Sequence, residues 1–225
     1  MRLIDAPSPN HDARPEGVAI DALVLHYTGM RSGAEAIARL RDPASRVSSH
    51  YIVEEDGAVF RLVPEDRRAW HAGVSHWRGN TGLNGRSIGI EIVNPGHEWG
   101  YRPFPALQMA AVCDLCLAIL GRHPIAPRDV VAHSDIAPDR KEDPGELFDW
   151  EGLAANGVGL FPAVGAPRAA GDALGLLGAI GYRTDLPLAV LITAFQRRWQ
   201  QARVDGVTDA QTLARLGAVA FAVTG

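Results

Sequence analysis

The chain has 225 residues, of which 47% are hydrophobic and 21% charged, the balance of a globular protein with room for a medium domain and a small one. A net charge of −4 gives no electrostatic reason to expect nucleic acid as a partner. No uninterrupted apolar run is long enough to span a bilayer, so no membrane partner is expected.

Residues 1–10 lack the apolar core of a secretory signal, which predicts a cytoplasmic protein. A longer native N-terminus would move that expectation to the periplasm or envelope. Residues 21–28 are apolar on both faces and read as a buried interior strand. Ser32-Gly33-Ala34-Glu35 is a capping box that opens a helix to about Leu40. Two apolar stretches, 50–53 and 58–63, flank Glu54-Glu55-Asp56-Gly57, a hairpin signal because the glycine accepts a positive φ. Segment 64–86 is irregular, rich in tryptophan, histidine, asparagine and glycine, and its aromatics argue for a functional loop rather than disorder.

A strand follows at 87–93, then a long helix at 105–120 with proline near its first turn and Gly121 after its end. Met109, Val112, Cys113, Cys116, Leu117 and Leu120 recur at helical spacing, which predicts the buried face of that helix. It makes the two cysteines small core residues rather than a redox or metal pair. Residues 129–132 read as another strand. Strands mixed with helices predict an α/β (α+β) fold, a mixed central sheet flanked by helices. Residues 1–156 then form the catalytic domain and 157–171, rich in glycine, proline and alanine, a linker.

Residues 172–225 carry three short helical faces: Leu174, Leu177 and Ile180; Ile192, Phe195 and Trp199; Leu213 and Leu216. The last helix opens on the capping box Thr208-Asp209-Ala210-Gln211. They predict a small three-helix domain.

His26 closes the first buried strand and His133 closes the strand at 129–132, while Asp143 follows His133 by ten positions. Each histidine alone is an ordinary hydrogen-bonded strand end. Together they can converge at one end of a sheet, and the intervening segment can form a loop that returns the aspartate to them. Two imidazoles and one carboxylate would leave a zinc ion (Zn2+) positive with an open fourth position, the arrangement of a catalytic site. Residues 140–143 taken alone read as a solvated charged turn, but in an extended segment Lys141, two residues before Asp143, projects to the same side, where it would stabilise an oxyanion. Glu91 alternates with Ile88, Ile90 and Ile92, which places it on a face left open by Gly89, as a general base.

The stretches Leu25-His26-Tyr27-Thr28, Ser48-Ser49-His50-Tyr51, Ala69-Trp70-His71-Ala72-Gly73 and Ser87-Ile88-Gly89-Ile90-Glu91 share a resemblance, and the run from His133 to Gly145 is its most specific part. Residues 20–152 resemble the type 2 N-acetylmuramoyl-L-alanine amidases, whose fold is shared with phage amidases and peptidoglycan-recognition proteins. The resemblance implies that His26, His133 and Asp143 ligate zinc, that Glu91 is the catalytic carboxylate, and that Lys141 stabilises the tetrahedral intermediate. An aspartate in place of the cysteine of the phage branch points to the bacterial branch. Residues 194–213 resemble the three-helix peptidoglycan-binding domain, whose other role would be to pack on the catalytic domain.

The implied reaction cleaves the amide between the lactyl group of N-acetylmuramic acid and L-alanine, in muropeptides or anhydro-muropeptides, by a monomer acting in cell-wall recycling. Trp70, His71, Tyr51 and Trp77 are the expected substrate contacts, with loop anchoring the alternative for His71 and a supporting role behind the metal ligands the alternative for Tyr51. Two other readings stay open. One is an envelope amidase acting on polymeric peptidoglycan; the other, a catalytically silent peptidoglycan-binding protein, requires a missing site residue, and none is missing.

Overall fold

The computed structural model describes residues 2–163, 165 and 168–224. The strands in chain order are β1 (Arg2–Asp5), β2 (His11–Ala13), β3 (Ala22–Tyr27), β4 (Tyr51–Val53), β5 (Ala58–Arg61), β6 (Arg67–Ala69), β7 (His76–Trp77), β8 (Asn80–Thr81), β9 (Ser87–Ile92) and β10 (Val130–Ala132). The helices are α1 (Gly33–Arg41), α2 (Gly96–Trp99), α3 (Ala106–Leu120), α4 (His133–Ile136), α5 (Trp150–Ala155), α6 (Ala173–Ile180), α7 (Leu188–Trp199) and α8 (Ala210–Thr224). Six strands make one sheet in the order β1-β5-β4-β9-β3-β10. Strands β4, β9, β3 and β10 run parallel, while β5 turns back antiparallel to β4 and β1 pairs with it in parallel. This is the expected mixed α/β sheet. Among the described residues no helix is long and apolar enough to cross a membrane.

The turn between β4 and β5 closes with Glu54 N–H donating to Ala58 O and Gly57 at φ +82°, as a hairpin glycine should. Ser32 caps α1 by accepting from Glu35 N–H. The cap of α8 falls one residue later than the sequence pattern suggests, because Asp209 Oδ1 accepts from Thr212 N–H. Sequence patterns do not reveal β1 and β2, since each is short and half-solvated and exists only through pairing, β1 with β5 and β2 with β6.

One sheet face packs against α3 and α5 through Leu23, Leu25, Ile88, Ile90 and Ile92. The buried face of α3 is rotated from the predicted one: it comprises Gln108, Ala111, Val112, Leu115, Cys116 and Ile119, while Leu117 is 43% exposed and Cys113 half-buried. The helix is apolar nearly all round, so periodicity leaves its roll undetermined. Gln108 decides it, its amide donating to the carbonyls of Val53, the last residue of β4, and Val93, just past β9.

The other face is covered on one flank by α1, packed over Ile52, and on the other by the C-terminal helices. Val24 and Val131 from the sheet share one apolar cluster with Leu177, Ile192, Phe195 and Leu216. Two expected core positions lie outward instead: Leu174 and Leu213 are each 40% exposed, and Leu176 and Val219 take the buried places. In the expected linker, Val158 is buried in the α3 core and Phe161 stacks on Trp199 at 5.9 Å between ring centroids. Residues 164, 166 and 167 of that segment lie outside the described residues.

Candidate metal centre and catalytic cleft

Parallel pairing sets His26 of β3 against Glu91 of β9, and Val24 against both Gly89 and Val131. Because strand side chains alternate, Val24, His26, Gly89, Glu91 and Val131 share a face, and the isoleucines of β9 face α3. His133 follows β10 directly and opens α4, so it arises beside His26 at the C-terminal edge of the parallel strands. The chain then folds back. Lys141 N–H donates to Ala137 O, and Ser134 N–H donates to Asp143 O at 3.0 Å, which returns Asp143 to His133.

Three ligand atoms meet there. His26 Nδ1 lies 2.9 Å from His133 Nδ1 and 3.1 Å from Asp143 Oδ2, and His133 Nδ1 lies 3.0 Å from the same oxygen. Tetrahedral ligands at zinc bond lengths would stand about 3.3 Å apart, close to this triangle. His133 Nε2 faces the Ala72 carbonyl at 3.3 Å; the carbonyl accepts, so the proton sits on Nε2 and Nδ1 keeps its lone pair. These three atoms could hold a metal ion between them. All three side chains are buried, and among the described residues no other trio of His, Cys, Asp or Glu gathers its donor atoms this way. Burial first, then the neighbouring His133, pushes the His26 imidazole down to about 4. Burial works to raise the Asp143 carboxyl, but His133 and His26 hold it well below the usual carboxylate range. A neutral imidazole at His26 and an ionised carboxylate at Asp143 are ligand forms that zinc takes.

Glu91 and Lys141 line the same cleft of about 370 Å³ with Trp70, Arg39 and Arg140. Glu91 Oε2 is shut off from solvent and bonded to nothing in the protein. Burial, then the charge of Asp143, raises the Glu91 pKa well above normal, with Lys141 acting in the opposite sense.

The four aromatic side chains expected to touch substrate separate. Trp70 lines the cleft, its backbone fixed to Ser48. His71 also borders it but is 8% exposed, wedged behind His26 with its Nδ1 3.0 Å from His26 Nε2. Gly89 is therefore not open space: a Cβ there would lie 2.4 Å from His71 Cγ. Tyr51 is not brought to the cleft. It pairs with Ile90, so parity sends its ring through the sheet to the α3 side, where its hydroxyl donates to Glu65. Neither the substrate role nor a place behind the metal ligands fits that position. Trp77 is buried too, its indole donating to Asp129 and its ring packed edge-on against Tyr182. Loop composition marks aromatics but not which way they point.

Sequence reasoning misses other parts of the centre. Asn84 Oδ1 accepts from the amides of both His71 and Ala72, shaping the loop that carries Trp70. Asp135 accepts from Ala132 N–H, Arg198 and the Tyr182 hydroxyl, tying the turn that presents His133 to the C-terminal helices. Asp135 sits in the specific His133 run; Arg198, distant in sequence, carries no local signal.

The family described as N-acetylmuramoyl-L-alanine amidase matches residues 16–146. The Escherichia coli N-acetylmuramoyl-L-alanine amidase AmiD is 39% identical, with 87% of this chain and 80% of that protein aligned. The 1,6-anhydro-N-acetylmuramyl-L-alanine amidase AmpD of Enterobacter cloacae is 34% identical over 66% of this chain and 88% of its own. The solved structure of AmiD from E. coli, in complex with the substrate anhydro-N-acetylmuramic acid-L-Ala-D-gamma-Glu-L-Lys, superposes with a TM-score of 0.79 at 37% identity, covering 92% of this chain and 91% of that one. With the family match spanning more than half its length and the parallel-strand site intact, this chain belongs to the N-acetylmuramoyl-L-alanine amidases.

Proposed function

We propose that this amidase is zinc-dependent and hydrolyses the lactyl-L-alanine amide of anhydro-muropeptides released in cell-wall recycling. The convergence of His26 Nδ1, His133 Nδ1 and Asp143 Oδ2 beside the unpartnered Glu91 carboxylate carries this reading. The anhydro-muropeptide held by AmiD and the name of AmpD support the substrate class. Every group of the site comes from one chain, as a monomer requires.

His26, His133 and Asp143 would hold the zinc ion, which when bound would supply Lewis acidity to the cleft. Glu91 takes a proton from a water molecule as the water oxygen bonds to the carbonyl carbon, and delivers the proton to the alanine nitrogen as the C–N bond breaks. Lys141 sets a positive charge beside the carbonyl oxygen while it carries negative charge. Trp70, Arg39 and Arg140 border the cleft where muramyl and stem-peptide groups would lie. Packing of the C-terminal helices into the sheet favours their acting as scaffold over a separately tethered wall-binding module.

Metal analysis combined with digestion of anhydro-muropeptides and intact sacculi, before and after chelation, tests the reading. Bound zinc and loss of activity on chelation are expected, with soluble fragments cleaved faster. Full activity in metal-free enzyme rejects zinc dependence, and faster cleavage of sacculi rejects the recycling assignment. Glu91→Ala should lower turnover by about 10²–10⁴-fold while retaining zinc. Fractionation of cells making the native protein should recover it with the cytoplasm; recovery in the envelope rejects the location.

A further inference from the structure

Behind His26 lies a row of buried polar groups that the reaction itself does not use. Ser87 Oγ is 2.7 Å from Leu83 O and 3.1 Å from His71 Nε2, and His71 Nδ1 is 3.0 Å from His26 Nε2. Ser87 is fully buried, and neither Ser87 nor His71 is a ligand atom of the triangle. We infer that Leu83, Ser87 and His71 form a proton-ordered relay that fixes the tautomer of His26, so that its Nδ1 presents a lone pair to the metal; this rests on the zinc reading above. His71 and Ser87 are then positioning residues.

The order follows from what each atom is able to donate. A carbonyl only accepts, so the Ser87 hydroxyl proton is committed to Leu83 O, which also accepts from Arg86 N–H with its second lone pair. Ser87 Oγ must then accept from His71, which puts the His71 proton on Nε2. A neutral imidazole protonated at Nε2 accepts at Nδ1, so His26 Nε2 carries the proton that points at it. What remains on His26 is the Nδ1 lone pair, aimed into the triangle with His133 and Asp143. The reverse order would turn the serine away from Leu83 O and put a proton on His26 Nδ1, in the place of the metal. Gly89 makes the row possible by leaving room for the His71 ring. His133 reaches the same tautomer through the Ala72 carbonyl.

Long-range 15N–1H correlation of histidine side chains, in metal-free and zinc-loaded protein, reads the tautomers directly. The expectation is an Nε2-protonated form at His71 and His26 in both states. An Nδ1-protonated His26 or His71 in the metal-free wild type overturns the relay. Chelator competition then tests its consequence: Ser87→Ala and His71→Leu should weaken zinc binding about 10–100-fold. His71→Asn, whose amide oxygen replaces the accepting Nδ1, should recover most of it. Wild-type zinc affinity in folded Ser87→Ala and His71→Leu would also reject the inference. A wild type that binds no zinc removes the metal reading instead, while the metal-free spectrum still decides the proton order.

Discussion

His50, in one of the stretches that carry the family resemblance, ties strands together. Its Nδ1 accepts from Gly89 N–H at 2.9 Å, and its Nε2 lies 3.1 Å from Arg67 O, so it laces the start of β4 to β9 and to β6. Burial, followed by the charge of Arg14, pushes it down from 6.5 to about 3. The unfolded chain therefore binds a proton at mildly acidic pH that the folded chain refuses. Stability contributed by the neutral imidazole is present above about pH 6.5 and declines as pH falls toward about 3. His26 and His71 are displaced in the same direction. Urea unfolding of the metal-free protein should lose at least roughly 2 kcal/mol between about pH 7 and about pH 4.5. Equal stability at the two values would contradict burial of a neutral His50.

Strand β9 shows how one element serves two masters through its period of two. Its isoleucines close the core against α3, and Ser87, Gly89 and Glu91 build the floor of the centre. That alternation is legible in the sequence, and so are the hairpin and the cap of α1. The purpose of Gly89 is not, because a glycine in a strand looks the same whether it opens a cavity or admits a neighbouring ring. Gly89→Ala would press a methyl group against the His71 ring, 2.4 Å from its Cγ. Zinc affinity should drop about 10-fold or more as the ring is displaced from behind His26. Overpacking should add a stability loss of about 1–3 kcal/mol. Chelator competition and urea titration read both effects, and zinc binding equal to wild type would show that His71 moves without consequence.

The C-terminal helices and the sheet are one packed body at the level of the molecule. The Arg198 guanidinium sits between Trp150 and Trp199, 4.3 and 4.2 Å from the ring centroids, and donates to Asp135 and to Val130 O. Its side chain is 1% exposed, so it spans the contact as a buried ion pair at the foot of the His133 turn. The sheet's Val24 and Val131 lie in the same apolar cluster as the helices. A single cooperative unfolding transition is expected, with far-UV and near-UV signals coincident. Two separated transitions would mean that the helices are an independent unit. Arg198→Met should lower stability by about 3–5 kcal/mol, because it leaves Asp135 buried without its cation.

Sequence by itself singled out His26, His133 and Asp143, with Glu91 and Lys141 beside them, and predicted the mixed sheet that carries them. Those features are local: strand alternation, a ten-residue return loop and a dense run of chemically specific residues. Tertiary structure alone decided the roll of α3, the burial of Tyr51 and Trp77 away from the cleft, and the union of the C-terminal helices with the sheet. It also set His71 behind His26, with its Nδ1 3.0 Å from His26 Nε2, at the border of the cleft. Each of these depends on which distant side chain fills a given space, such as Gln108 on two strand ends or Arg198 under His133. No local pattern of residues encodes such a meeting, since it exists only after the sheet has brought the elements together.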